Sequence, residues 1–174
     1  MDCEEIRVDI RKTDPQDRKE GQRCAKLLFQ LNHTMPYTEE YSAVLRELFG
    51  ENLGEGSIIN PPLSGACISS MKIGKHVLIN SNLLAMARGG ITIEDHAMIA
   101  ANVQLISNNH DPYDLMVLPC KPVLIKESAW IGAGATVSNN LQICGGCMIG
   151  AGAVVIKSIT ESGTYVGVPA EKIK

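Results

Sequence analysis

The sequence predicts a mainly β protein: a parallel β-helix, preceded by a small helical cap and interrupted by one extruded loop. Three observations carry this. An aliphatic residue recurs every six positions through most of the chain after residue 57. The residues before it show helical spacing instead. A polar segment, LISNNHDPYDL from Leu105 to Leu115, breaks the beat and presents one histidine, His110.

The repeat comes first. Six consecutive hexads start at Ile125 (IKESAW), Ile131 (IGAGAT), Val137 (VSNNLQ), Ile143 (ICGGCM), Ile149 (IGAGAV) and Val155 (VIKSIT). Their fifth residues, Ala129, Ala135, Leu141, Cys147, Ala153 and Ile159, are uncharged and mostly small. Earlier hexads start at Ile73, Ile79, Ile93, Ile99 and Leu105, with a slip of phase after AMARGGIT. A period of six fits neither a helix, about 3.6, nor an amphipathic strand, about 2. It suits a coil with three short flat sides, one hexad per side, each aliphatic residue pointing inward onto its copy in the next coil. Gly, Asn and Asp suit the corners, where positive φ is tolerated. Such a solenoid buries its core only by stacking, and its narrow interior accounts for an aromatic content of only 4%.

The first fifty residues read as helices. Asp14-Pro15 supplies an N-cap and a proline at the first helical position, with Asp17 in the first turn. Cys24, Leu27, Leu28 and Leu31 follow at helical spacing. A second helix starts at Thr38, carries Tyr41, Val44, Leu45 and Leu48, and stops at Gly50. Residues 1–57 are therefore assigned to the cap, which shields the open first coil, and 58–174 to the β-helix, with the loop extruded over about 107–122.

Composition excludes several classes. A net charge of -3 gives no electrostatic case for nucleic acid or an anionic membrane. No apolar run approaches a membrane span. The charged stretch MDCEEIRVDIRKTD lacks an apolar h-region, so a cytoplasmic protein with reduced cysteines is expected. Cys3, Cys24, Cys67, Cys120, Cys144 and Cys147 are scattered. Cys144-Gly-Gly-Cys147 has the spacing of a redox or zinc half-site. Both cysteines also fall where neighbouring repeats carry small residues, and no second pair completes a zinc site.

Between Leu105 and Val123 the residues obey no hexad logic, so they leave the coil as a loop. Loops on rigid scaffolds are where function concentrates. Imidazole takes a proton near neutral pH, which makes His110 a candidate general base. A surface histidine held by one hydrogen bond is the plain alternative.

The joint order of motifs shifts the balance toward the first. LNHTMPYTEEYSAVLRELFG is followed by INPPL, hexads with INSN, NHDPYD, AWIGAGATV, IGAGAVV and GVPAEKIK. This order resembles the hexapeptide-repeat acyltransferase superfamily, and within it the maltose, galactoside and nodulation-type sugar O-acetyltransferases. The resemblance spans nearly the whole chain. It implies a left-handed parallel β-helix assembled as a homotrimer, acetyl-CoA as acetyl donor bound between neighbouring prisms, and no metal. It assigns His110 as the base and Asn80, in INSN, as an acceptor contact. Trp130, in AWIG, falls on the coenzyme side, and Ala133, Ala151 and Gly152 along the pantetheine arm. Asn80 is equally well read as a stacked corner asparagine, and Trp130 as cover for an apolar face. Backbone N–H groups near Ala133 are candidate oxyanion donors.

The chain also departs from the galactoside pattern. Lys12 stands where those enzymes offer an acidic acceptor contact. Arg88, in AMARGG, falls near a second such carboxylate, and Ala66 stands where a hydroxyl is expected. Arg88 is therefore a candidate contact to an acidic or phosphorylated acceptor.

Three other readings stay open. An amine or thiol acceptor keeps the enzyme class. A non-catalytic β-helix subunit does not. A metal-dependent β-helix would need His76, His96 and His110 at one edge, and their spacing disfavours that.

Overall fold

A computed structural model describes residues 4–174 of the chain; residues 1–3, including Cys3, lie outside the described residues. Helix α1 spans Pro15–His33 and α2 spans Glu39–Phe49. The Asp14 carboxylate caps α1 by accepting from the Gln16 N–H, and the Thr38 hydroxyl caps α2 by accepting from the Tyr41 N–H. Gly50, at φ 56°, ends α2.

A solenoid of three parallel faces follows. Face one stacks Lys72–Ile73, Ile91–Ile93, Val123–Ile125 and Leu141–Ile143. Face two stacks Ile58–Ile59, Leu78–Ile79, Met98–Ile99, Trp130–Ile131, Met148–Ile149 and Thr164–Val166, closed by the antiparallel Glu171–Lys172. Face three stacks Leu63–Ala66, Leu83–Met86, Gln104–Ile106, Thr136–Val137 and Val154–Val155.

The registers are those that the six-residue beat demands. Ile73, Ile93, Ile125 and Ile143 form one inward column. Ile59, Ile79, Ile99, Ile131 and Ile149 form the second. Ala85, Leu105, Val137 and Val155 form the third. All are buried, as are the fifth-position residues Ala129, Ala135, Leu141, Cys147, Ala153 and Ile159. Corner residues His76, Asn82, His96, Asn102, Ser128 and Asn140 hold positive φ, so histidine and serine join the expected Gly and Asn. The slip of phase is accommodated at the edge between faces three and one, where Ala87 turns into the core ahead of Arg88.

The cap satisfies the open first coil. The Asn32 amide donates to the Leu63 carbonyl and accepts from the Leu63 N–H, both at 2.8 Å, as a neighbouring strand would. The buried Tyr41 hydroxyl donates to the Ile59 carbonyl.

Two features differ from the sequence reading. The cap opens with a strand, Ile6–Asp9, because Ile6 and Val8 alternate with charged residues. Cys144 and Cys147, for which no disulfide was expected, are paired as one, with Cα atoms 5.5 Å apart. The two glycines between them, Gly146 at φ 65°, fold the corner back until residues 144 and 147 meet.

Truncating a column residue removes a contact with both neighbouring coils. Ile131→Ala, with Ile131 fully buried, is expected to cost about 2–5 kcal/mol. Ile156→Ala, at an exposed position, is expected to stay within about 0.5 kcal/mol. Denaturant unfolding of the two variants beside the wild type checks this.

Candidate active site

The candidate residues fall on two edges that face three separates. The edge between faces two and three carries Asn80, Ala133, Ala151 and Gly152, with Trp130 on the strand leading into it. The edge between faces three and one carries Arg88 and, one coil on, the loop with His110. The structure therefore places Asn80, expected at the acceptor, on the edge of Ala133, Ala151 and Gly152, expected at the coenzyme, and brings Arg88 to the root of the His110 loop. It does not join the two groups within one chain.

Along the first edge the coils lie close and their side chains are small. Gly152 donates its N–H to the Ala133 carbonyl, and Gly134 to that of Ala101. Gly132 has no room for a Cβ, which would stand 2.6 Å from the Ile149 carbonyl oxygen. Ala133 and Ala151 are exposed, and among the described residues their N–H groups have no hydrogen-bond partner. The result is a bare rail of backbone carrying free donors. Asn80 sits on the same edge, but its Oδ1 accepts from the Ser81 N–H at 2.8 Å, which is the corner role. Trp130 points outward between Met98 and Met148. With Ile58 these form an apolar stripe up face two, each residue 39–47% exposed.

The loop is a hairpin held by the N-terminal strand. Ile6–Asp9 pairs antiparallel with Val117–Cys120, Val8 opposite Leu118. On the far side Asn109 donates to the Pro119 carbonyl and Asp111 to that of Val117, which sets His110 across from Leu118. Two ion pairs lock the arrangement, Arg7 with Asp111 and Arg11 with Asp114, the second at 2.6 Å. The other Asp111 oxygen accepts from the Tyr113 and Asp114 N–H groups. Ser107, fully buried at the loop's root, donates to the Met86 carbonyl and accepts from the Gly89 N–H. Asn108 is also buried, and its Oδ1 has no partner among the described residues.

His110 itself is exposed. Its Nδ1 lies 2.5 Å from the Leu115 carbonyl oxygen. A carbonyl only accepts, so Nδ1 carries the hydrogen and the neutral ring keeps its lone pair on Nε2, facing outward. That is the tautomer a general base needs.

The Arg7 guanidinium, followed by the Tyr113 N–H, holds the Asp111 carboxyl below the usual carboxylate range. Arg11 holds Asp9 at about 2. Neither arginine was singled out in the sequence; the alternation of Ile6 and Val8 with charges in EIRVD was the available signal. Lys12, read as facing the acceptor, is exposed and lies 3.6 Å from Asp9. Asp17 and Glu20 of α1, with Arg88, line a cavity of about 380 Å³ that Lys12 does not reach.

The metal reading finds no support in the placement. His76 and His96 stack at 5.3 Å on the edge between faces one and two, away from the loop edge of His110. No group of three or more His, Cys, Asp or Glu side chains among the described residues could hold a metal. No helix among them is long and apolar enough to cross a membrane.

A three-faced solenoid with a donor-rich rail and a loop-borne histidine defines the class of a hexapeptide-repeat acyltransferase. No protein-family profile matches the chain. A galactoside O-acetyltransferase of Lactococcus lactis is 30% identical over 157 residues, covering 87% of this chain and 75% of that protein. A galactoside acetyltransferase solved with coenzyme A superposes with a TM-score of 0.87 at 27% identity, covering 94% of this chain and 84% of that one. A hexapeptide-repeat acetyltransferase of Vibrio cholerae, complexed with acetyl coenzyme A, gives 0.86 at 25%, covering 93% and 90%. The chain belongs to the hexapeptide-repeat acetyltransferase family of the galactoside and maltose type, and it is an acyltransferase.

The Arg7–Asp111 pair gives the loop a pH dependence. A carboxyl whose value falls on folding stabilises the fold above its unfolded value, about 3.9, and that contribution is lost as pH drops through the folded value. Protection of the loop amides, measured as exchange relative to the intrinsic rate at each pH, is expected to hold at neutral pH and to fall below about pH 4. In Arg7→Ala the loop amides are expected to lose that protection at neutral pH too, with protection of the column strands unchanged in both cases.

Proposed function

We propose that the chain moves the acetyl group of acetyl-CoA to a hydroxyl of a sugar or related small acceptor, with His110 as general base. The observation that carries this is the His110 tautomer. Nδ1–H is engaged by the Leu115 carbonyl and Nε2 is left open on an exposed loop. A hydroxyl is a weak nucleophile until a base removes its proton during attack on the thioester. Nε2 takes that proton and holds it for the departing thiolate. The ring stays oriented throughout because the Arg7–Asp111 pair and the N-terminal strand brace the residues on either side.

The rail fits the donor. Ala133 and Ala151 leave room for a thin pantetheine chain against the backbone, and their N–H groups are free to donate. The Ala133 N–H is the candidate donor to the oxyanion of the tetrahedral intermediate. Trp130 flanks the rail on face two. Coenzyme complexes among the structural relatives support acetyl-CoA as the donor bound there.

Base and rail lie on different edges, so the complete site requires two chains. A closed homotrimer is the assembly in which each His110 loop meets its neighbour's rail. The apolar stripe of Ile58, Met98, Trp130 and Met148 suits burial near such an interface.

Thiol release from acetyl-CoA against a panel of sugars and amines tests the reaction. Acceptor-dependent release is expected to fall about 10²–10⁴-fold in His110→Ala. Release with amines alone would move the assignment to an N-acetyltransferase; release untouched by the substitution would remove His110 as base.

A further inference from the structure

Arg88 is the exception among the six arginines of the chain. Arg7, Arg11, Arg23 and Arg46 are ion-paired, and Arg18 donates to the Thr13 carbonyl. Arg88 is only partly exposed, and among the described residues it has neither an ion pair nor a hydrogen bond. A half-buried guanidinium with no acceptor carries an uncompensated desolvation cost, which an anion would relieve.

Its surroundings form a receptacle. Two adjoining cavities of about 380 and 430 Å³ lie between α1 and the edge of faces three and one, sharing Gly21, Cys24, Cys67 and Arg88. The second is walled by Leu28 and Phe29, and Arg88 is its one charged lining residue. Asp17 and Glu20 reach only the first, and Glu20 is already held by Arg23 at 2.7 Å and by the Ser69 hydroxyl. The position of Arg88 is fixed by its neighbour. A Cβ on Gly89 would stand 2.2 Å from the Ser107 carbonyl oxygen, so the turn presses directly beneath the loop's root.

The cavity also lies at working distance from the base. Val8 lines the first cavity, the one that Asp17 and Glu20 also reach, and pairs with Leu118, which lies across the hairpin from His110. Two interstrand spacings separate them, about 10 Å. A sugar carrying an anionic arm spans that length.

We infer that the acceptor is anionic, and that Arg88 holds its carboxylate or phosphate in the cavity between α1 and the loop root while the hydroxyl points toward His110. This rests on the acetyl-transfer reading for its chemistry but not for its binding. Arg88 is thus a specificity residue, and it separates this chain from enzymes that recognise neutral glycosides.

Two arms test it. Calorimetric titration without acetyl-CoA compares glucose, glucuronate and a sugar phosphate on the wild type, Arg88→Gln and Arg88→Lys. An anionic probe is expected to bind the wild type, to weaken about ten- to a hundredfold in Arg88→Gln, the size of one charge-assisted hydrogen bond, and to recover in part in Arg88→Lys. Which anionic probe binds distinguishes carboxylate from phosphate. Thiol release is expected to show the same fold-loss in kcat/KM for the anionic acceptor, and a smaller loss for a neutral sugar, which carries no group for Arg88 to hold. No binding of either anion by the wild type overturns the inference, as does an equal loss for neutral and anionic acceptors in Arg88→Gln. Arg88-dependent binding with no transfer to any acceptor upholds the site and counts against the acetyl-transfer reading alone.

Discussion

Coil-on-coil stacking of the inward aliphatic columns is the constraint on which everything else depends. One aliphatic residue per side, Ile, Leu or Val except at Ala85, fills a narrow interior, and each ladder repeats it in the coil above. A column tolerates no insertion within a side, so extra residues are expelled at an edge. That is why the His110 segment leaves between faces three and one, and why Arg88 stands one coil away on the same edge. Chemistry is placed by what the core refuses.

A loop expelled from a rigid prism still needs an anchor of its own. The N-terminal strand provides it, through a ladder to Val117–Cys120 and through Arg7 and Arg11. The His110 loop is thus held from both ends, by the prism at Ser107 and by the strand at Asp111. The opposite edge achieves the reverse. Small residues there press the coils together and leave the Ala133 and Ala151 N–H groups without a partner among the described residues. One edge offers a side chain on a braced loop, the other a backbone surface.

The solenoid was legible because its period is unlike that of any helix or strand, and the hexads from Ile125 to Val155 named their own inward residues. The two helices were legible from Asp14-Pro15, Thr38 and Gly50. His110 stood out as the histidine in the segment that broke the beat. The N-terminal strand was not legible, because the alternation of Ile6 and Val8 with charges runs for only four residues, too short a signal to stand without its partner. Its partner lies more than a hundred residues away, inside the loop. The Cys144–Cys147 pairing was hidden by position, since a core site accepts Cys as a small residue whether or not it is bonded. Arg88 was noticed as a departure from resemblance; only the structure shows that it lacks a partner among the described residues and lines a cavity.

The account makes the site a property of two chains, and co-expression of two variants tests that directly. His110→Ala keeps its rail and loses its base; Ala133→Trp keeps its base and blocks its rail. Each alone is expected to be inactive. In mixed trimers some interfaces pair an intact loop with an intact rail, and roughly a quarter of the wild-type rate should return, the chance of that pairing at random in a cyclic assembly. A mixture as inactive as either variant alone would place base and donor within one chain and contradict the account.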